Sequence, residues 1–168
     1  AMEDIARKIN KGKSTLYYYY KNKDEIFEAV ISHEIQDLFR EISVATEKVT
    51  SGEEKLRVYF STVVESIQNR ILLYRIIKGE IGENLKVLVQ LKHLMDSNEV
   101  CFIRKILQIG ADNNEWIDDI EKDLDIIAYA IVSAIRSIAL DLVIEERFPD
   151  WHKRIGALQE IFIRGLKK

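Results

Sequence analysis

Proline occurs once in the 168 residues, at Pro149, and glycine only seven times. A sandwich or barrel of short strands needs turn residues at close intervals, so this scarcity excludes that class. Cysteine also occurs once, at Cys101, which rules out an internal disulfide and fits a reducing, cytoplasmic setting. No run reaches the roughly 18 uncharged apolar residues of a membrane span, and no signal peptide opens the chain. Membrane attachment is therefore not expected.

Catalytic and metal-binding patterns are equally scarce. The three histidines, His33, His93 and His152, lie far apart in sequence. His33 and Asp37 have the i, i+4 spacing of two metal ligands, but that pairing reads better as a solvated helix face. Cys101 sits in an apolar stretch and reads as a small core residue. There is no Gly-rich phosphate loop, paired-cysteine motif or nucleophile elbow. The chain is not expected to be an enzyme, and no metal or cofactor is implied.

What the chain has is an ordinary folded balance, 47% hydrophobic and 32% charged residues, and enough length to bury a core without staples. Charge is unevenly spread. Residues 7–23 carry Arg7, Lys8, Lys11, Lys13, Lys21 and Lys23 and no acid, a local charge of +6 in a chain of net charge −3. The remaining 151 residues therefore sum to −9. A short basic patch at one end of an acidic body is the footprint of a local polyanion contact, or of lysines decorating exposed turns.

Helical periods run through the chain. Met2 to Ile9 reads as a short helix with Ile5 and Ile9 on one face. Residues 10–13 (NKGK) break it, Asn10 tolerating a left-handed conformation and Gly12 being permissive. A second short helix covers about Ser14 to Tyr20, with Leu16 and Tyr20 inward. Asn22 with Glu25 forms a capping box that opens a long helix through Ile26, Phe27, Val30, Ile31, Ile35, Leu38, Phe39 and Ile42 to about Glu47. Ser51 with Glu54 opens another, carrying Leu56, Tyr59, Phe60, Val63, Val64 and Ile67. A helix is expected to end near Gly79 or Gly82, and Ser97 to cap a segment that stops at Gly110. Residues 111–119 read as a polar connection. A long helix then runs from Ile120 to Glu145 on a stripe of Leu124, Ile127, Ile131, Ile135, Ile138 and Leu142, and Pro149 with Asp150 opens the last one, ending near Leu166.

Helix, tight turn, helix within the basic patch is a helix-turn-helix pattern. Its second helix offers Lys13, Ser14, Thr15, Tyr17, Tyr18 and Tyr19 outward. Lysine supplies charge to phosphates, and the hydroxyls fix register through phosphate hydrogen bonds. Four consecutive tyrosines also have a plain reading as core filler or oligomer contact.

At these residues the chain resembles a known family. Residues 2–30, MEDIARKINKGKSTLYYYYKNKDEIFEAV, are similar to the second, third and early fourth helices of a TetR/AcrR-type transcriptional regulator. The motifs are Asp4-Ile5-Ala6, Thr15-Leu16 followed by Tyr17 to Tyr20, and Lys23-Asp24-Glu25-Ile26-Phe27. The turn departs from the family, with Asn10 in place of glycine and Lys11 in place of an apolar residue. The family's first helix lies before the matched stretch, so residues 1–22 are expected to form a partial helix-turn-helix domain, with residues 23–168 the ligand-binding and dimerisation domain.

The resemblance implies an all-α fold, a small bundle followed by a larger one. It implies DNA contacts at Lys13, Ser14, Thr15, Tyr17, Tyr18, Tyr19 and Lys23. Lys13, Thr15 and Tyr18 are the candidates for base edges, Tyr17, Tyr19 and Lys23 for phosphates, and Glu3 is a poor phosphate neighbour. It implies a small-molecule effector held in the body, with Tyr59, Phe60, Tyr74, His93, Phe102, Arg104, Trp116 and Tyr129 as candidate lining residues, each of which also reads as core or surface. Finally, it implies a homodimer built from the two C-terminal helices, a palindromic double-stranded DNA operator and repression relieved by a ligand. Two other readings stay open: a helical dimeric interaction module without DNA binding, and a small-molecule-binding protein whose basic end is incidental.

Overall fold

A computed structural model of the chain describes the backbone of residues 2–70, 85–145 and 151–168, and the side chains of 2–70, 97–138 and 155–168. In order, the elements are α1 (Met2–Lys8), α2 (Lys13–Tyr19), α3 (Lys23–Thr46), α4 (Gly52–Asn69), α5 (Leu85–Asp112), a 3-10 turn (Ile120–Lys122), α6 (Leu124–Glu145) and α7 (Trp151–Leu166). Among the described residues the only extended pairing is an isolated bridge between Trp116 and Lys167. The fold is all-α, as the scarcity of turn residues required. Tyr74, Gly79, Gly82 and Pro149 lie outside the described residues.

Two hydrophobic clusters organise the helices. The small one joins Met2, Ala6 and Leu16, with Ile5, Tyr20 and Ile26 packed on it. The larger runs from Leu38 and Ile42 of α3 through Leu56, Tyr59, Phe60, Val63, Val64 and Ile67 of α4. It continues with Ile103, Ile106 and Leu107 of α5, then Leu124, Ala128, Ile131, Val132 and Ile135 of α6. Helix α3 contributes to both, Ile26 near its start and Leu38 and Ile42 further along.

Helix ends follow their local chemistry. Asn22 Oδ1 accepts from the Glu25 amide at 2.9 Å, and the Glu25 carboxylate accepts from the Lys21 amide at 2.7 Å. Ser51 Oγ likewise accepts from the Glu54 amide at 3.1 Å. The α4 N-terminus is further capped by Glu115, whose carboxylate oxygens accept from the amides of Gly52 (3.1 Å) and Glu53 (2.7 Å). A carboxylate at that position meets both the unpaired amides and the positive end of the helix dipole.

The expected break at Ser97 is absent: Ser97 sits inside the continuous helix α5, which runs past Gly110 to Asp112. Gly110 stays in the helix because packing requires it there. A Cβ on Gly110 would lie 1.9 Å from Trp116 Nε1, and one on Gly52 would lie 2.6 Å from the Gly110 Cα. Helices α4 and α5 thus touch backbone to backbone at two glycines, with the indole of Trp116 closing the other side. The helix terminates instead at Asn114, at φ 56°, where the amides of Asn114 and Glu115 bond back to Ala111 and Gly110 at 2.9 and 2.8 Å.

Helix α7 is fastened to α4. Arg57 pairs with Glu160, Gln159 donates to the Arg57 carbonyl at 3.0 Å, and Lys167 meets Glu53 at 2.9 Å. Phe60 and Phe162 stack with centroids 5.8 Å apart.

Candidate nucleic-acid interface

The turn between α1 and α2 is built by Asn10, which takes φ 53°. The Asn10 and Lys11 amides donate back to the Arg7 and Ala6 carbonyls at 3.2 and 2.9 Å, a left-handed helix termination in which asparagine replaces glycine. Gly12 does not use its left-handed freedom: at φ −68°, ψ 148° it is an ordinary extended N-cap. The inward residues of α1 are Met2 and Ala6 flanked by Ile5, and Ile9 is half-exposed rather than inward. One turn of helix separates Met2 from Ala6, so the buried face is set by that pair. Lys11, at a position expected to be apolar, is exposed and contributes through its backbone.

On α2, Leu16 is buried and Tyr20 is half-buried against the small cluster. Lys13, Ser14, Thr15, Tyr17, Tyr18 and Tyr19 are all exposed, as is Lys23 at the first turn of α3. Tyr18 is the most open, at 83% exposure. Its ring meets Tyr19 edge-on at 5.0 Å. Lys13 Nζ hydrogen-bonds the Glu3 carboxylate across the helix-turn-helix and stands 5.8 Å over the Tyr17 ring. The Glu3 hydrogen bond and charge hold the Lys13 ammonium above its ordinary range. The three outward tyrosines, two hydroxyl residues and the lysine of α2 are therefore all open to solvent, as is Lys23 at the start of α3.

The candidate effector residues do not gather at one site. Tyr59, Phe60 and Trp116 are buried in the large cluster. The Trp116 Nε1–H donates to the Leu107 carbonyl at 3.0 Å. Arg104 is exposed and pairs with Asp125 at 2.7 Å. Tyr129 is half-exposed on α6. His93 lies on α5 where side chains are not described, and Tyr74 is outside the described residues. Phe102 does line an open groove of about 550 Å³ between α3 and α5, together with Ser32, Ile35, Gln36, Phe39, Asn98, Cys101 and Lys105. Cys101 is exposed there, not a core residue.

Sequence reasoning missed two features. One is this groove, whose residues alternate polar and apolar along two helices and carry no motif. The other is a buried polar network. Glu99, 1% exposed, accepts from the Tyr59 hydroxyl at 2.5 Å and pairs with Arg136. Burial raises the Tyr59 phenol well above its usual value, and the neighbouring Glu99 charge adds to this. A signal was present: Arg136 is the single cation of α6 and directly follows the buried Ile135.

The helix-turn-helix also has relatives. Residues 1–30 match the sequence model of bacterial regulatory proteins of the tetR family. The N-terminal segment is thus similar to that of the tetR family, and the fold is shared with solved regulators of that type. Among similar solved structures is a TetR transcription regulator from Haloarcula marismortui, 12% identical, with a TM-score of 0.82 over 100% of this chain and 87% of that one. A fatty acid degradation regulator from Bacillus halodurans is 14% identical, with a TM-score of 0.81 over 98% and 84% of the two chains. A transcriptional regulator from Cytophaga hutchinsonii is 20% identical, with a TM-score of 0.77 over 100% and 88%. No curated protein sequence gives a significant match. The matched family and these structures are transcriptional regulators, not enzymes. Among the described residues, no helix is long and apolar enough to cross a membrane.

Proposed function

We propose that this TetR-type chain is a ligand-responsive, homodimeric DNA-binding repressor. The observation that carries the reading is the exposed side of α2, with Lys13, Ser14, Thr15, Tyr17, Tyr18 and Tyr19 outside the small core while Leu16 anchors the helix, and with Lys23 exposed at the start of α3. Hydroxyls and ammonium groups on an exposed helix suit a major groove, with Tyr17, Tyr19 and Lys23 on phosphates and Lys13, Thr15 and Tyr18 toward base edges. The operator would be a palindrome with half-sites ~34–36 Å apart.

Dimerisation is assigned to α6 and α7. Ile126 and Tyr129 on α6 and Ile161 on α7 are large apolar residues left exposed, Ile161 at 68%. Gly165, one turn along α7 from Ile161, stands open, with nothing within 4 Å of an added Cβ. Small residues around apolar ones permit close approach of a symmetric copy.

For the effector, the α3–α5 groove is the better assignment. It sets Ile35, Phe39 and Phe102 beside Gln36, Asn98 and Lys105, a combination suited to an amphipathic small molecule. Because α3 also bears Ile26 of the small cluster, a ligand favouring one placement of α3 would change DNA affinity.

An electrophoretic shift of the gene's upstream DNA, with protein expressed from the complete reading frame, tests the reading. A salt-sensitive complex supports it. Absence of any complex across a salt series would sink it and favour a dimeric interaction module.

A further inference from the structure

Two acid–cation pairs are seen on the helix-turn-helix: Asp4 with Arg7 inside α1, at 3.7 Å, and Glu3 with Lys13, which reaches from α1 to α2. The Glu3 and Lys13 side chains are both 56% exposed, so neither is needed to hold the fold. The pair joins α1 to α2 across the turn, and Lys13 also stands over the Tyr17 ring. Most of the other basic residues of the patch add charge without discrimination, because any DNA sequence presents phosphates.

We propose that Glu3 is a specificity-determining residue of the DNA-binding surface, acting by holding Lys13 in a neutral pair that only a matching base edge can replace. This rests on the DNA-binding reading above. On unmatched DNA, Lys13 must give up a carboxylate to gain a phosphate, and the released Glu3 carboxylate then faces the polyanion. Both steps oppose binding. At a matching step, Lys13 can donate to a guanine edge while Glu3 accepts from a cytosine amino group, so both are compensated. Discrimination thus comes from a penalty on wrong sequences rather than from added attraction to the right one.

The test uses protein from the complete reading frame, two duplexes of equal length (the upstream region and a shuffled sequence) and a salt titration of each. For E3Q, affinity for the shuffled duplex should rise about three- to fivefold. Its log–log salt dependence should steepen by about 0.9, the increment for one added phosphate contact. Upstream affinity should not rise with it, so the ratio between the two duplexes falls. In a K13Q background the Glu3 substitution should relieve only carboxylate–phosphate repulsion, equally on both duplexes, and should not steepen the salt dependence, since there is no cation left to release. Unchanged helical circular dichroism excludes misfolding as the cause.

Three results would overturn the proposal. An equal rise on both duplexes would make Glu3 a general repeller. Persistence of the slope change and of the difference between duplexes in E3Q/K13Q relative to K13Q would show that Glu3 acts without Lys13. No change on either duplex while the wild type still binds would remove Glu3 from recognition altogether. Loss of all binding by the wild type is a separate outcome, which removes the DNA-binding reading and this inference with it.

Discussion

The Tyr59 hydroxyl donates to Glu99 at 2.5 Å in the middle of the large cluster, and Arg136 pairs with the other oxygen of that carboxylate. Three helices, α4, α5 and α6, each contribute one member. A charge buried this deeply is tolerable only while its partners remain. Y59F should therefore cost about 1.5–3 kcal/mol of unfolding free energy, the value of a hydrogen bond to a charged group. R136M should cost about 3–5 kcal/mol, because it strands the carboxylate. Urea unfolding followed by circular dichroism checks both, and a loss under 0.5 kcal/mol for R136M would refute the network's role.

Gly110 faces the Trp116 indole with no space for a methyl group. G110A should destabilise by at least about 1–3 kcal/mol through overpacking. Displacement of Trp116 should also alter its fluorescence, since its Nε1–H would lose the Leu107 carbonyl. A native emission spectrum in a fully stable G110A would contradict the packing described.

Acid should weaken the contact between α3 and α4. The Arg70 guanidinium pairs with Glu34 at 2.7 Å and Glu41 at 2.6 Å, and hydrogen bonding from Arg70 holds the Glu41 carboxyl below its ordinary 4.5. Lys167 and then Arg57 lower Glu53, and Arg57 lowers Glu160. A depressed carboxylate stabilises the folded state fully above its unfolded value and loses that contribution as pH falls through its folded value. Denaturation midpoints should stay level from pH 7 to 5 on this account and decline below about 4.5. R70M should flatten that decline. An unchanged acid limb in R70M would count against Glu41 as a contributor.

Substitution of Ile161 by glutamate should leave the folded subunit within about 0.5 kcal/mol of wild type, since Ile161 is exposed. A two-fold interface would receive the charge twice. Sedimentation should then report monomer for I161E and dimer for wild type; a dimer in both would move the interface away from α7.

Removing the Lys23 ammonium by K23A should weaken DNA binding on every sequence and reduce the salt dependence by about 0.9, as for one phosphate contact. Y18A should instead change the preferred sequence. Equal loss from Y18A on all duplexes would reassign Tyr18 to the backbone.

Legibility in the sequence followed the range of the forces involved. The capping boxes at Asn22 and Ser51 act within four residues, and both form as their spacing predicts. The buried stripe of α4 appears residue for residue, because one helical period carries it. The continuity of α5 through Ser97 was not legible: serine favours a cap locally, but packing against α4 and α6 carries the helix through it. That Trp116 is buried within the otherwise polar connection was not decided by its neighbours in sequence, since it packs against the bare backbone at Gly110. The α2 surface was readable because exposed residues of a short helix need only one anchor, Leu16. The groove was not, because half its wall comes from α3 and half from α5.

Helix α3 enters both hydrophobic clusters, through Ile26 near one end and Leu38 and Ile42 toward the other. A 24-residue helix is a stiff rod of roughly 36 Å, so a tilt of about 3° about one end sweeps the other through about 2 Å. Nothing at the α1–α2 end need lose its packing for that displacement to occur, since the small cluster rides on the rod. Whatever shifts the rod in the body would reach the tyrosines of α2 as a change of angle, and two copies about a symmetry axis would double it.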